Sequence, residues 1–179
     1  EQVLADLEGA TAALVFSSGI AACTAPFHAL KRGEQALVSK TIYHGVLSFI
    51  NEFAESWGIS IDYFETGNLQ DLEKKLVKGK TRLVWLETPA NPSWVVTDLE
   101  AAAKLAHEAG ALLAVDSTAA TPVLTRPLEL GADLVCHSAT KYLNGHSDVI
   151  AGFLAVREPS LEIWRRIREH RKFGGAILG

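Results

Sequence analysis

The chain has 179 residues, 48% of them hydrophobic and 21% charged, with a formal net charge of −4. That is apolar material for one sizeable core; it offers no uninterrupted apolar run near the roughly 20 residues a membrane helix needs, and no clustered basic face for nucleic acid. The densest basic stretch, Arg165 to Lys172, has Glu169 inside it and helical spacing, which reads as a solvated helix face.

Taken in chain order, apolar runs rich in valine, leucine and isoleucine alternate with amphipathic stretches. The pattern predicts a strand over 12–16 (AALVF), a helix near 19–31, a strand over 35–39 (QALVS) and a helix over 44–57. A strand over 60–64 (SIDYF), a helix over 69–77, a strand over 82–87 (RLVWLE) and a helix over 97–109 follow, the last with Thr97 as cap and Gly110 as stop. Strands over 111–116 (ALLAVD), 133–138 (DLVCHS) and 151–156 (AGFLAV) and a helix over 160–170 complete the chain, which already opens in helical pattern at Glu1. Such alternation predicts a three-layer α/β/α domain with a mostly parallel, seven-stranded sheet. Cys23 and Cys136 lie in apolar surroundings without metal-ligand spacing, and read as small buried hydrophobes of a reducing, cytoplasmic compartment.

In open parallel sheets ligands gather at the carboxyl ends of the strands. Those ends carry Ser17, Ser18 and Gly19; Glu87, Asn91 and Pro92; Asp116, Ser117 and Thr118; and His137, Ser138, Thr140 and Lys141. "VFSSGIAA" is a strand, a polar turn and a helix start, whose backbone N–H groups suit a phosphate, although Ser-Ser-Gly is equally good capping. It has neither Walker A nor nucleophile-elbow spacing, and no G-x-G-x-x-G follows a strand, which disfavours a nucleotide-binding domain. Asp116, at the end of a buried strand, needs either an N-cap or a protonated heterocyclic nitrogen as partner. Lys141 reads as a surface cation, a phosphate binder or an amine that bonds a carbonyl carbon. Among hydroxyls and just past a buried strand, the last role fits, because burial lowers an amine's pKa. A phosphate turn, a ring-nitrogen carboxylate and a Schiff-base lysine together are what pyridoxal phosphate requires.

Residues 115–152, "VDSTAATPVLTRPLELGADLVCHSATKYLNGHSDVIAG", closely resemble the cofactor region of the Cys/Met-metabolism enzymes, the family of cystathionine γ-synthase, cystathionine lyases and methionine γ-lyase. "SSGIAA", "YHGV" and "ETPANP" are similar to that family's other motifs, in the expected order, so that the resemblance covers essentially the whole chain. It implies the fold-type I large domain and an internal aldimine on Lys141, which also moves protons between substrate carbons. Asp116 would pair with the pyridinium nitrogen, Tyr43 would stack on the ring and assist proton transfer, and Asn91 would bond the phenolic oxygen. Ser18, Ser138, Thr140 and the backbone of Gly19 and Ile20 would hold the phosphate, with Thr118 against the ring or its oxygen. The plain readings are an aromatic at a helix start for Tyr43, a turn for Asn91-Pro92 and capping for Ser138 and Thr140. His137, His146 and Asp148 are expected to make loop hydrogen bonds; no metal is expected.

Ser117 stands where the family usually has Asn, Ile20 where Met is common and His44 where Gly is common. The family's upstream Tyr and Arg, which reach a neighbouring subunit's phosphate, and its carboxylate-binding Arg in a C-terminal domain have no counterpart here. With no methionine and an end at "GGAILG", residues 1–179 are therefore expected to be the cofactor-binding large domain of a longer protein, and the absence of a targeting segment says little. The implied activity is elimination or replacement at Cγ, or elimination at Cβ, of cystathionine, methionine or an O-acylhomoserine, in a dimer of dimers. The competing reading is a scaffold with the same fold and no activity of its own, serving in assembly or regulation.

Overall fold

The structure is a computed structural model that describes residues 1–178. Seven strands form one sheet: β1 (Ala12–Phe16), β2 (Gln35–Ser39), β3 (Ser60–Phe64), β4 (Thr81–Glu87), β5 (Leu112–Asp116), β6 (Leu134–His137) and β7 (Gly152–Val156), in the order β1-β7-β6-β5-β4-β2-β3. The β2–β3, β2–β4, β4–β5 and β5–β6 pairings are parallel, while β7 runs antiparallel to both β1 and β6. Reversing β7 lets β1 point the same way as β4, β5 and β6, so their carboxyl ends share one edge.

The side-chain period of two along a strand sorts the core into two layers. Leu14, Phe16, Val38, Trp85, Ala114 and Cys136 face α2 (Gly19–His28), α3 (His44–Trp57) and α7 (Glu162–Gly174). The alternate residues Ala13, Leu37, Leu86, Val115 and Val135 face α1 (Gln2–Glu8), α4 (Leu69–Lys75) and α5 (Leu99–Glu108). The three-layer α/β/α architecture expected from the sequence is therefore present. Parity then places Glu87 and Asp116, each two residues beyond a member of the first layer, toward α2 and α3, and aims His137 at α1.

Several boundaries move. The helix expected over 97–109 runs over Leu99–Glu108, because Asp98 and not Thr97 supplies the cap, accepting the Ala101 N–H at 3.1 Å. Thr97 is instead buried, its hydroxyl without a hydrogen-bond partner. The helix expected over 19–31 ends at His28, the one expected over 160–170 continues to Gly174, and a short α6 (Thr121–Leu124) is added.

Candidate functional site

The turn from β1 into α2 is the first component of the shared edge. Ser18 has extended backbone and its Oγ accepts the Ala21 N–H at 3.2 Å, the geometry of an N-cap. Gly19 and Ile20, the first two residues of the helix, keep backbone N–H groups that have no intrahelical acceptor. A Cβ at Gly19 would lie 2.5 Å from Ser138 Oγ and 2.6 Å from Ser138 Cβ, and one at Gly152 would lie 2.3 Å from the Ser18 carbonyl oxygen. The two glycines thus let the ends of β1, β6 and β7 close up, and bring the Ser138 hydroxyl beside those N–H groups.

The second component is Asp116, 5% exposed at the end of β5. Its Oδ1 accepts the backbone N–H of Thr118 at 3.0 Å and the Thr118 hydroxyl at 2.6 Å, while Oδ2 lies 3.5 Å from the Cys23 thiol, which donates to it. Thr118 Oγ1 in turn accepts the Ser138 N–H at 2.8 Å. A relay therefore runs from the end of β6 through one hydroxyl to the carboxylate, which is buried and held in one orientation. Cys23 and Cys136 are buried free cysteines with sulfur atoms 3.0 Å apart; the contact with Cys136, then burial and the nearby Asp116, raise the Cys23 thiol, and burial and Asp116 raise that of Cys136.

Lys141 lies on an exposed turn beyond β6. Its N–H donates to the Ser138 carbonyl at 3.1 Å and its own carbonyl accepts the Gly145 N–H at 2.8 Å. Thr140 ties this turn to β7, its hydroxyl donating to the Ala151 carbonyl at 3.1 Å and accepting the Ala151 N–H at 3.0 Å. Farther along, His146 bonds the Asn144 carbonyl and Asn144 bonds Asp148, the loop bonding expected of them. His137 differs: it is wholly buried, hydrogen-bonded to Glu8 of α1 at 2.5 Å and stacked on Phe153.

On the far side of Asp116, Tyr43 caps α3 and is 54% exposed, its ring folded over Gly45, where a Cβ would lie 2.6 Å from Tyr43 Cε1. Asn91 is exposed in the loop after β4, between two cis X-Pro bonds, Thr88–Pro89 and Asn91–Pro92. Glu87 joins the two, accepting the Tyr43 N–H on Oε2 at 2.6 Å and the Asn91 N–H on Oε1 at 2.9 Å. Burial and the charge of Asp116 push this carboxyl up to about 7.

All the residues singled out in the sequence therefore sit on one edge of the sheet. Sequence reasoning left Glu8 unremarked, named Glu87 only as a strand-end residue and read Cys23 only as a small buried hydrophobe. Glu8 shares a helical face with Leu4 and Ala5, and that spacing was the available sign of its burial.

Residues 1–179 match the family described as Cys/Met metabolism PLP-dependent enzyme. The chain belongs to that family. Its members similar to this chain include the cystathionine beta-lyase MetC of Bacillus subtilis, 38% identical over 179 residues, which are 100% of this chain and 45% of the relative. The L-methionine gamma-lyase of Fusobacterium nucleatum subsp. nucleatum is 40% identical over 181 residues, again 100% of this chain and 45% of the relative. Among solved structures, metB from Corynebacterium glutamicum superposes with a TM-score of 0.93 at 37% identity, covering 99% of this chain and 46% of that one. Cystathionine gamma-lyase from Lactobacillus plantarum, complexed with L-serine, gives 0.93 at 34% identity, covering 99% and 46%. This chain thus spans just under half the length of the relatives it matches. Membership makes pyridoxal phosphate the cofactor and fold type I the architecture, in agreement with the sequence. Among the described residues no helix is long and apolar enough to cross a membrane.

Proposed function

We propose that this chain is the cofactor-binding large domain of a pyridoxal-phosphate-dependent C–S lyase or transferase acting on sulfur amino acids. The observation that carries the proposal is the buried Asp116 carboxylate, fixed by Thr118 and Cys23 on the same edge as the N–H groups of Gly19 and Ile20 and the turn of Lys141. The residues present suit the group: helix-start N–H donors and the Ser138 hydroxyl for a phosphate, a carboxylate for a ring nitrogen, and an amine for a carbonyl carbon.

When bound, pyridoxal phosphate supplies an electron sink for negative charge at the substrate's α-carbon. The protein's share is positional and acid–base. Asp116, which accepts from a hydroxyl, an N–H and a thiol, would favour a protonated ring nitrogen opposite it. Gly19, Ile20, Ser18 and Ser138 anchor the phosphate end. Thr140, whose hydroxyl is committed to Ala151, serves by holding the turn in place. Thr118 acts first on Asp116 and presents its remaining surface to the ring. Tyr43 supplies an aromatic face, Asn91 an amide for the ring oxygen, and the Lys141 amine holds the cofactor and carries a proton to and from the substrate.

Cystathionine and methionine, cleaved at Cγ or Cβ, follow the relatives' own names, and O-acylhomoserine, exchanged at Cγ, follows the family resemblance of the sequence. Free Cys23 and Cys136 fit a reducing cytoplasm. The exposed apolar side chains Val123, Leu124 and Ile150 fit burial in a homo-oligomer, a dimer of dimers in the full-length protein.

The test is visible absorption of the full-length protein with added pyridoxal phosphate, followed by borohydride reduction and peptide mapping. The expected result is a label fixed on Lys141 and lost in Lys141→Ala. A label elsewhere, or none in the wild type, would remove the enzyme reading.

A further inference from the structure

Glu87 ends β4 with both carboxyl oxygens engaged, one by the N–H of Tyr43 at the start of α3 and the other by the N–H of Asn91 in the following loop. The two donors belong to different elements. They are also the residues assigned above to the face and the oxygen of the cofactor ring, so the inference rests on that assignment. At 6% exposure the carboxyl is sheltered from water, and its register partner on β5 is Asp116 itself.

Seating a second carboxyl beside Asp116 is electrostatically unfavourable, and burial compounds it. An amide in its place would offer one acceptor oxygen and turn its NH2 toward the other N–H, leaving one donor unmatched. The side chain that meets both donors is a carboxyl, whose two oxygens span the gap between α3 and the loop. Carboxyl groups kept in unfavourable surroundings concentrate at functional sites.

We propose that Glu87 is a positioning residue, a two-oxygen clamp that fixes the backbones of Tyr43 and Asn91 relative to each other and so sets the slot that receives the cofactor ring. The clamp acts through Tyr43 and Asn91 and does not itself meet the cofactor.

The experiment is a titration of the full-length apoprotein with pyridoxal phosphate, read by visible absorbance and by visible circular dichroism, which reports how the ring is held. Glu87→Gln is expected to weaken binding about tenfold, the equivalent of one net hydrogen bond of ~1.4 kcal/mol, and to diminish the dichroism per bound cofactor. In a Tyr43→Ala background the same substitution should change the dichroism far less, because the ring face it positions is gone. If Glu87→Gln does not fold, Glu87→Asp, with both acceptors on a shorter stem, is expected to change affinity and dichroism in the same direction by a smaller amount. Wild-type affinity and dichroism in the variant that folds, or losses that simply add to those of Tyr43→Ala, would overturn the clamp while leaving the cofactor site intact. No bound-cofactor signal in the wild type would overturn the site and the clamp together.

Discussion

Glu87 and Asp116 are register partners at the ends of the parallel strands β4 and β5, so two carboxyl groups share one end of the sheet and one core-facing side. Neither forms an ion pair among the described residues; backbone N–H groups, a hydroxyl and a thiol serve them instead.

The pH dependence of stability follows from this adjacency. Glu87 titrates at about 7 in the folded protein, above its ordinary value of 4.5, so folding favours its protonated form. The stability it contributes is complete below its unfolded pKa and is lost as the pH rises through its folded one. The groups acting on it are Asp116, which raises it, and the N–H groups of Tyr43 and Asn91, which lower it. The apoprotein should therefore lose up to a few kcal/mol between about pH 5 and 8, and Glu87→Gln should flatten that slope. Urea midpoints across this range, in wild type and variant, measure it.

Gly19→Ala places a methyl group 2.5 Å from Ser138 Oγ. Overpacking of this kind typically costs about 1–3 kcal/mol, and here it also drives the β6 end away from the start of α2. Both thermal stability and affinity for inorganic phosphate are expected to fall. Adding Ser138→Gly should restore stability but not phosphate affinity. Calorimetry on the four proteins of this cycle gives the comparison.

Thr118 is the single hydroxyl between Asp116 and the Ser138 N–H. Thr118→Val keeps the shape and deprives both partners, with an expected loss of about 1–3 kcal/mol. Thr118→Ser retains both bonds and should stay within about 1 kcal/mol of wild type. Denaturant unfolding distinguishes the two, and a loss in Thr118→Ser with none in Thr118→Val would show that the methyl group, not the relay, is what matters.

Glu8 and His137 form a wholly buried pair that pins α1 under β6, with Glu8 Oε2 and His137 Nδ1 lacking partners. Glu8→Leu strands the imidazole and should cost about 3 kcal/mol, whereas Glu8→Leu combined with His137→Leu should recover most of that loss. A double variant no more stable than Glu8→Leu would show that the pair itself stabilises the fold.

The strands were legible because runs such as "RLVWLE" and "ALLAVD" are apolar on both faces and bounded by turn residues, as parallel strands covered on two sides must be. Asp98 displaced Thr97 as the α5 cap because adjacent residues of similar capping ability compete, and tertiary packing drew Thr97 inward. The four-residue α6, with Thr121 at φ 61°, carries too few residues for any period. Lys141 and Asp116 stood out because their chemistry is confined to special positions. Glu8 and Glu87 did not, since a carboxylate in sequence looks solvated until the fold reveals what covers it. The second job of Thr118 lies between strands that are adjacent only in space.

The strand that opens the sheet pairs with the one that closes it: β1 finds its partner in β7. On a ribosome, the turn that begins α2 emerges early, but two of the neighbours it settles against, Ser138 and the glycine at the head of β7, are made much later. Closure of this edge is thus a long-range event in the chain and a late one in its folding. Until that final strand arrives, the growing polypeptide carries an unpaired first strand and an unassembled cradle, which defers cofactor capture until synthesis has passed β7.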